Sequence, residues 1–232
     1  MLDWIGSERP DILCLQELKA ARHQIPPALT GLEEYWSCWH GEAAYSGVAL
    51  LVRKSCAAAE PVFAHPEFDH ETRIVTADVV GITVASIYVP NGGKDFGAKI
   101  RFLEAMAAYT ARLASDGRTA VLCGDMNVAR TDMDVHPRER KADAIGQSPH
   151  ERERFEGVIA SGLVDLGRAL DPGNDQLFTW WPPWRNMRQR NIGWRLDYVL
   201  ASAGLAAKAV SCPSFREVGT SDHAPVVATL SL

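Results

Sequence analysis

Four carboxylates stand where short apolar runs give way to polar residues. Glu17 follows Asp-Ile-Leu-Cys-Leu-Gln, Asp125 follows Thr-Ala-Val-Leu-Cys-Gly, Asp197 lies within Gly-Trp-Arg-Leu-Asp-Tyr-Val-Leu, and Asp222 precedes His-Ala-Pro-Val-Val. Apolar runs of this length, bounded by Gly, Ser, Asp or Pro, read as buried strands. Acidic groups gathered at strand ends repel one another and resist desolvation. A hard divalent cation relieves both penalties, and Mg²⁺ takes one or two carboxylates while a substrate phosphate supplies further oxygens. The chemistry indicated is metal-dependent cleavage of a phosphodiester.

Each motif also has a plain structural reading. Gly124-Asp125-Met126-Asn127 follows a strand directly. The glycine permits a tight turn, and Asp125 and Asn127 project together if the chain stays extended. The aspartate could then hold and activate water, with the asparagine amide orienting that water or a phosphoryl oxygen; the same tetrapeptide is also a common turn. In Ser221-Asp222-His223, neighbouring residues cannot form a triad. Asp222 reads as a metal ligand and His223 as a group facing the scissile phosphate, its imidazole oriented by Asp197, or else the run is an Asp-capped turn. Tyr88 ends a strand at the Pro90-Asn91-Gly92-Gly93 loop, where a phenol and an amide could donate to phosphate, or where the tyrosine simply packs. Glu17 could equally be an exposed strand end.

From Trp181 to Arg195 four arginines occur without an acidic residue: Arg185, Arg188, Arg190 and Arg195. They are the phosphate-facing candidates. Trp180, Trp181, Trp184 and Trp194 are interleaved with them, and base–aromatic stacking is worth ~1–3 kcal/mol. Trp180 and Trp181 can as well be core aromatics beneath a loop, whereas Trp194, between Gly193 and Arg195, reads as ligand-facing. A second basic cluster, Arg138 to Arg154, is mixed with glutamates and reads as a solvated surface.

These side chains need a frame, and 232 residues suffice for one large core. A hydrophobic content of 47% with 23% charged residues is that of an ordinary globular protein. The net charge of −5 argues against strong nonspecific nucleic-acid binding. The five cysteines show no CxxC or zinc-type spacing; Cys14 and Cys123, inside apolar runs, read as small buried hydrophobes, and a reducing cytoplasm fits better than secretion. No signal peptide or membrane-length apolar stretch is visible. A helix ends at Arg9-Pro10. Strands are expected at 11–16, 48–53, 73–79, 82–88, 119–123, 194–201 and 224–230, with a hairpin at Gly81. Helices are expected at 96–115 and at 148–161, the second with Ser148 as N-cap and Pro149 at its first position. Many strands with few helices suit two packed sheets with helices outside, in one domain spanning 1–232.

The motifs occur together in one order. Pro10-Asp-Ile-Leu-Cys-Leu-Gln-Glu17, Tyr45-Ser-Gly-Val-Ala49, Tyr88-Val-Pro-Asn-Gly92, Gly124-Asp-Met-Asn-Val128, Asn191-Ile-Gly-Trp-Arg-Leu-Asp197 and Ser221-Asp-His-Ala-Pro225 resemble the exonuclease III family of Mg²⁺-dependent DNA-repair nucleases, within the endonuclease/exonuclease/phosphatase superfamily. The resemblance implies an α/β, four-layer αββα sandwich of two mainly antiparallel sheets flanked by helices, DNase I-like. It implies cleavage 5′ to abasic sites, with 3′→5′ exonuclease and 3′-phosphodiesterase activity. Double-stranded DNA with abasic sites or 3′ ends would be the substrate, Mg²⁺ (or Mn²⁺) the cofactor, and a cytoplasmic monomer the working form.

Residue by residue, the resemblance makes Glu17 the main metal ligand, with Asp222, Asp125, Asn127 and His223 in the metal network. Asp125 would position or deprotonate water, with Asn127 beside it, while His223, oriented by Asp197, would polarise phosphate or handle a proton; either Asp125 or His223 could be the base. Tyr88 and Asn91 would contact phosphate, and Trp180, Trp194 and Leu196 would line an abasic-sugar pocket. Family members normally carry a strand ending in a Trp-Asn-Val-like motif, then a helix, before the position of Met1. Either the start is misplaced and the natural protein is longer, or the chain is a truncated form, and the 232-residue form is expected to fold poorly or be nearly inactive. Two other readings stay open: a phosphodiesterase of the same fold acting on small molecules or lipids, and an inactive remnant.

Overall fold

Val80 and Gly81 both adopt positive φ, 50° and 80°, the two-residue geometry whose twist matches that of an antiparallel hairpin. They join two of the strands that make up the computed structural model, which describes residues 1–219 and 221–232. In chain order the elements are α1 (Leu2–Glu8), β1 (Ile12–Gln16), α2 (Pro27–Thr30), β2 (Tyr35–Glu42), β3 (Tyr45–Arg53), β4 (Phe63–Ala64), β5 (Ile74–Val79), β6 (Ile82–Tyr88), α3 (Phe96–Ser115), β7 (Thr119–Asp125), α4 (Pro149–Ile159), β8 (Leu163–Asp165), α5 (Leu166–Leu170), β9 (Asp197–Ser202), α6 (Ala203–Ala206), β10 (Ala209–Ser211) and β11 (Thr229–Leu230). They fall into two compact units, 1–88 with 120–124, and 89–119 with 125–232.

The first unit contains two sheets. One has the order β1-β3-β2, antiparallel throughout, with Ile12 opposite Val52 and Gln16 opposite Val48. In the other, β4, β5, β6 and β7 are neighbours in that order. Because side chains alternate along a strand, β3 serves two cores. Val48, Leu50 and Val52 pack with Val75, Ala77, Val79, Val84 and Tyr88, while Ala49 and Leu51 pack with Ile5 of α1 and with Leu13, Tyr35 and Trp39. Burial on both faces explains the unbroken apolar run, and each of its buried valines and leucines contributes about 1.5–3 kcal/mol. The strand β2 was not foreseen. Tyr35 and Trp39 join one core while Trp36 and Cys38 join the other, so no polar face exists to reveal the alternation.

In the second unit, α3 begins where the Asp95 carboxylate accepts from the Ala98 amide at 2.8 Å, the arrangement that satisfies a free helix-start N–H. The helix ends at Ser115, as expected. Ser148 caps α4, with Pro149 in its first turn. Phe155 of α4 meets Tyr198 of β9 edge-on at 4.9 Å, and β8 pairs antiparallel with β9.

Two expected strands are shorter in the structure. Regular pairing of the 194–201 run begins only at Asp197. Before it, the Arg195 amide donates to the Asp134 carbonyl, and the Leu196 and Asp197 amides both donate to the Thr179 hydroxyl. Of 224–230, only Thr229–Leu230 is strand; Pro225 has no N–H to give, and Val226 forms an isolated bridge to Ser214.

Candidate active site

The second unit brings together most of the residues singled out above. Asp125 ends β7 and is 3% exposed. Its Oδ1 accepts from the Asn127 amide at 2.8 Å and its Oδ2 from Asn127 Nδ2 at 3.0 Å. The chain does not stay extended here: Asn127 has φ +52°, and this turn, rather than strand geometry, folds the amide back onto the carboxylate. Asn127 Nδ2 also donates to the Val89 carbonyl at 2.9 Å, and its Oδ1 accepts from Asn91 Nδ2 at 3.1 Å. Asn91, Asn127 and Asp125 therefore form one chain of hydrogen bonds.

His223 Nδ1 lies 2.9 Å from Asp197 Oδ2, the orientation expected for this pair. Burial disfavours the charged imidazole, but Asp197 and, behind it, Asp125 and Asp222 outweigh that, and the pKa rises to about 10. The imidazole is a cation at neutral pH. With Nδ1 committed to Asp197, its remaining donor is Nε2–H.

Trp180 links this pair to an apolar wall. Its indole N–H donates to Asp222 Oδ2 at 2.9 Å, its backbone bridges to both His223 and Trp194, and its ring meets Trp194 edge-on at 5.6 Å. Trp180 and Trp194 pack on Leu196, Ala129 and Val135. Trp194 Nε1 is buried without a hydrogen-bond partner among the described residues. Gly193 allows this crossing, since a Cβ there would stand 2.5 Å from the Trp180 carbonyl oxygen. Trp181 takes the other of its two readings: it is 1% exposed in a core with Phe178, Met187, Ile192 and Ala224.

In the first unit, Glu17 follows β1 with φ +55°, a conformation that costs a non-glycine residue on the order of 1–3 kcal/mol and gathers at functional sites. Its carboxylate accepts from the Tyr88 hydroxyl and, at 3.0 Å, from Lys19 Nζ. The Arg73 guanidinium lies over the Tyr88 ring, 5.0 Å from its centroid, and is held by Glu71 at 2.7 Å and by the Tyr45 hydroxyl at 3.1 Å.

The arginines divide. Arg185 and Arg190 are exposed. Arg195 is not phosphate-facing: it is 3% exposed, with Nε on Asp134 at 2.7 Å and its two terminal nitrogens on Asp165 at 2.8 and 2.7 Å. Its neighbours explain this, because two buried carboxylates require a buried cation. Arg188 donates to the carbonyls of Arg216, Val218 and Ser221 and lies over Trp181; it is committed to these carbonyls instead of presenting a free fork.

Two positioning residues, Lys99 and Glu151, escaped the sequence. Lys99, 0% exposed, donates to the carbonyls of Asn91 and Asn127 at 3.1 and 2.7 Å and to Glu151. It thus ties together the two loops that carry the site asparagines. Burial lowers its pKa, while Glu151 pulls the other way. Glu151, expected on a solvated surface, is fully buried for the same reason. A signal was present: Lys99 shares the buried face of α3 with Phe102, Leu103 and Met106, so a lysine occupied an apolar-face position.

The site is thus an α/β frame whose buried strands end in acidic and amide groups, with an imidazole held beside them. Residues 1–223 match the Endonuclease/Exonuclease/phosphatase family, and the chain belongs to it. Among its relatives, the DNA repair nuclease APEX1 of Danio rerio is 33% identical over 240 residues, covering 100% of this chain and 76% of that protein. An exodeoxyribonuclease of Bacillus subtilis is 29% identical over 234 residues, covering 100% and 92%. A solved 3′ phosphatase, NExo from Neisseria, bound to product DNA hairpin, has a TM-score of 0.89 at 29% identity, covering 100% of this chain and 93% of that one. The expected fold class is thus present: mixed α/β, two main sheets flanked by helices, DNase I-like.

Proposed function

We propose that this protein is a Mg²⁺-dependent DNA phosphodiesterase of base-excision repair. It would cleave 5′ to abasic sites and act on 3′ ends as an exonuclease and 3′-phosphodiesterase. The observation that carries the reading is Trp180: one residue bonds Asp222, pairs with His223 and meets Trp194. Phosphate chemistry and an apolar pocket wall therefore share one anchor. The similar proteins, named for DNA repair, exodeoxyribonuclease and 3′-phosphatase activities, support it.

The donor chemistry fits a hard cation. Asp197, Asp125 and Asp222 together impose a negative field strong enough to raise His223, and carboxylate and amide oxygens are the ligands Mg²⁺ takes. Within the second unit Asp222 would hold the ion, in a network that includes Asp125, Asn127 and His223. When bound, Mg²⁺ neutralises phosphoryl charge and stabilises the leaving oxygen. Asp125, its carboxylate fixed by Asn127, orients and deprotonates the attacking water. His223, held by Asp197 through Nδ1, donates Nε2–H to a phosphoryl oxygen, while the Asp125 carboxylate, fixed by Asn127, takes the role of base. Asn91 supplies a further donor, and Arg185 and Arg190 are available to the DNA backbone.

Selectivity follows from shape. An abasic sugar has no base to unstack, so extruding it is cheap, and a small pocket of Trp180, Trp194 and Leu196 excludes intact nucleotides. Among the described residues no helix is long and apolar enough to cross a membrane, and we place the protein as a monomer in the cytoplasm.

The test is Asp125→Asn on an abasic duplex. Cleavage should vanish while DNA binding stays nearly intact, because the substitution removes the base and one negative charge together. Preserved turnover would overturn the assignment.

A further inference from the structure

His40, His65 and Asp69 lie within the first unit and take no part in the chemistry above. Their potential ligand atoms all fall within 4.8 Å of one another. We propose that these three residues form a second metal site, selective for a divalent transition cation such as Zn²⁺, that anchors the loop leading to Arg73. The inference concerns metal binding alone and holds whatever the DNA substrate.

The hydrogen bonds around the cluster are those of a metal site's outer shell. His65 Nδ1 lies 3.2 Å from the Ile74 carbonyl oxygen. A carbonyl only accepts, so Nδ1 carries the proton and Nε2 keeps its lone pair, the tautomer that backbone carbonyls impose on metal-binding histidines. Asp69 is equally oriented: its side chain is 1% exposed, and Oδ1 accepts from the Arg73 amide at 2.7 Å. Its Oδ2 is 2.6 Å from His40 Nε2. A cation bound there would sit between these two atoms in place of the hydrogen bond, with the neutral His40 ring as its Nδ1–H tautomer so that the Nε2 lone pair faces the ion.

The donor set selects the ion. Two imidazoles and one carboxylate suit Zn²⁺ and its first-row neighbours, whereas Mg²⁺ and Ca²⁺ prefer oxygen alone. The imidazoles of His40 and His65 are stacked, with centroids 3.8 Å apart. Ligands about 2.0–2.1 Å from a tetrahedral ion stand roughly 3.3 Å from each other. The adjustment this requires falls to His65, the exposed member of the three.

The site has a route to function. Asp69 fixes the Arg73 amide, the Arg73 guanidinium lies over Tyr88, and the Tyr88 hydroxyl donates to Glu17. A metal clamp on Asp69 would stiffen the segment from which this relay starts.

The experiment is a Zn²⁺ titration of the full chain against a chromophoric chelator, in excess Mg²⁺ so that oxygen-rich sites are filled. One Zn²⁺ per chain is expected. His40→Gln and His65→Asn should each weaken binding by at least about a hundredfold, the upper range for losing even an outer-shell partner, while Glu17→Gln leaves it unchanged. Circular dichroism in metal-free buffer establishes that each variant is folded. No stoichiometric binding by the wild type, unaltered affinity in either histidine variant, or loss of binding in Glu17→Gln would each overturn the proposal. Because the readout is metal occupancy, failure here is separate from failure of the nuclease assignment.

Discussion

The imidazole of His223 is held 2.9 Å from the carboxylate of Asp197, and this pairing, against the opposing effect of burial, keeps the ring charged. Folding raises the pKa from 6.5 to about 10. The stabilisation is therefore complete below the unfolded value and disappears as pH rises through about 10. Asp197→Asn should return the His223 titration, followed by NMR, toward 6.5, and should flatten the stability loss between these two values. A titration that stays near 10 in the variant would show that other groups charge the ring.

Lys99 and Glu151 form an ion pair with both side chains at 0% exposure. Breaking such a pair leaves a buried charge uncompensated and costs about 3–5 kcal/mol. At about 2–4 °C per kcal/mol for a chain of this size, Lys99→Met should lower the melting temperature by roughly 6–20 °C. Replacing both partners with apolar residues should recover a substantial part of that. If the double variant melts no higher than the single one, the loss comes from packing and not from charge.

Trp194 forms the pocket wall with Trp180 and Leu196. For Trp194→Ala we expect the preference for abasic over intact DNA to fall much further than the rate on a simple 3′-phosphate end. Comparing kcat/KM on the two substrates measures this directly, and an unchanged ratio would remove Trp194 from the pocket.

Gly124 has φ +149°, and a Cβ there would stand 1.9 Å from the Ile87 carbonyl oxygen. Gly124→Ala should lose at least about 3 kcal/mol in urea unfolding, the range of severe backbone clashes. Gly157, inside α4, meets nothing within 4 Å, so Gly157→Ala should instead stabilise by about 0.4–1 kcal/mol. Equal effects at the two positions would contradict the backbone argument.

Much of the frame was legible in the residues themselves. The run 82–88 and the helix 96–115 appear with their expected limits, because apolar periodicity and end signals such as Asp116-Gly117 act locally. The same holds for Gly81, whose turn follows from its own freedom at positive φ. Where pairing partners compete, local reading failed: Trp194 to Leu196 spend their backbone groups on Thr179, Trp180 and Asp134, and the expected strand starts late.

By itself the sequence determined which chemistry was available: carboxylates, amides, an imidazole and tryptophans at the ends of apolar runs, in a recognisable order. Tertiary structure alone decided which of them meet. It turned Asn127 onto Asp125, charged His223 through Asp197, buried Arg195 between Asp134 and Asp165, and placed Lys99 beneath two loops. Periodicity reports which face of an element is apolar, but a charge is buried only where a partner distant in the chain neutralises it. That partner is known only once the chain has folded.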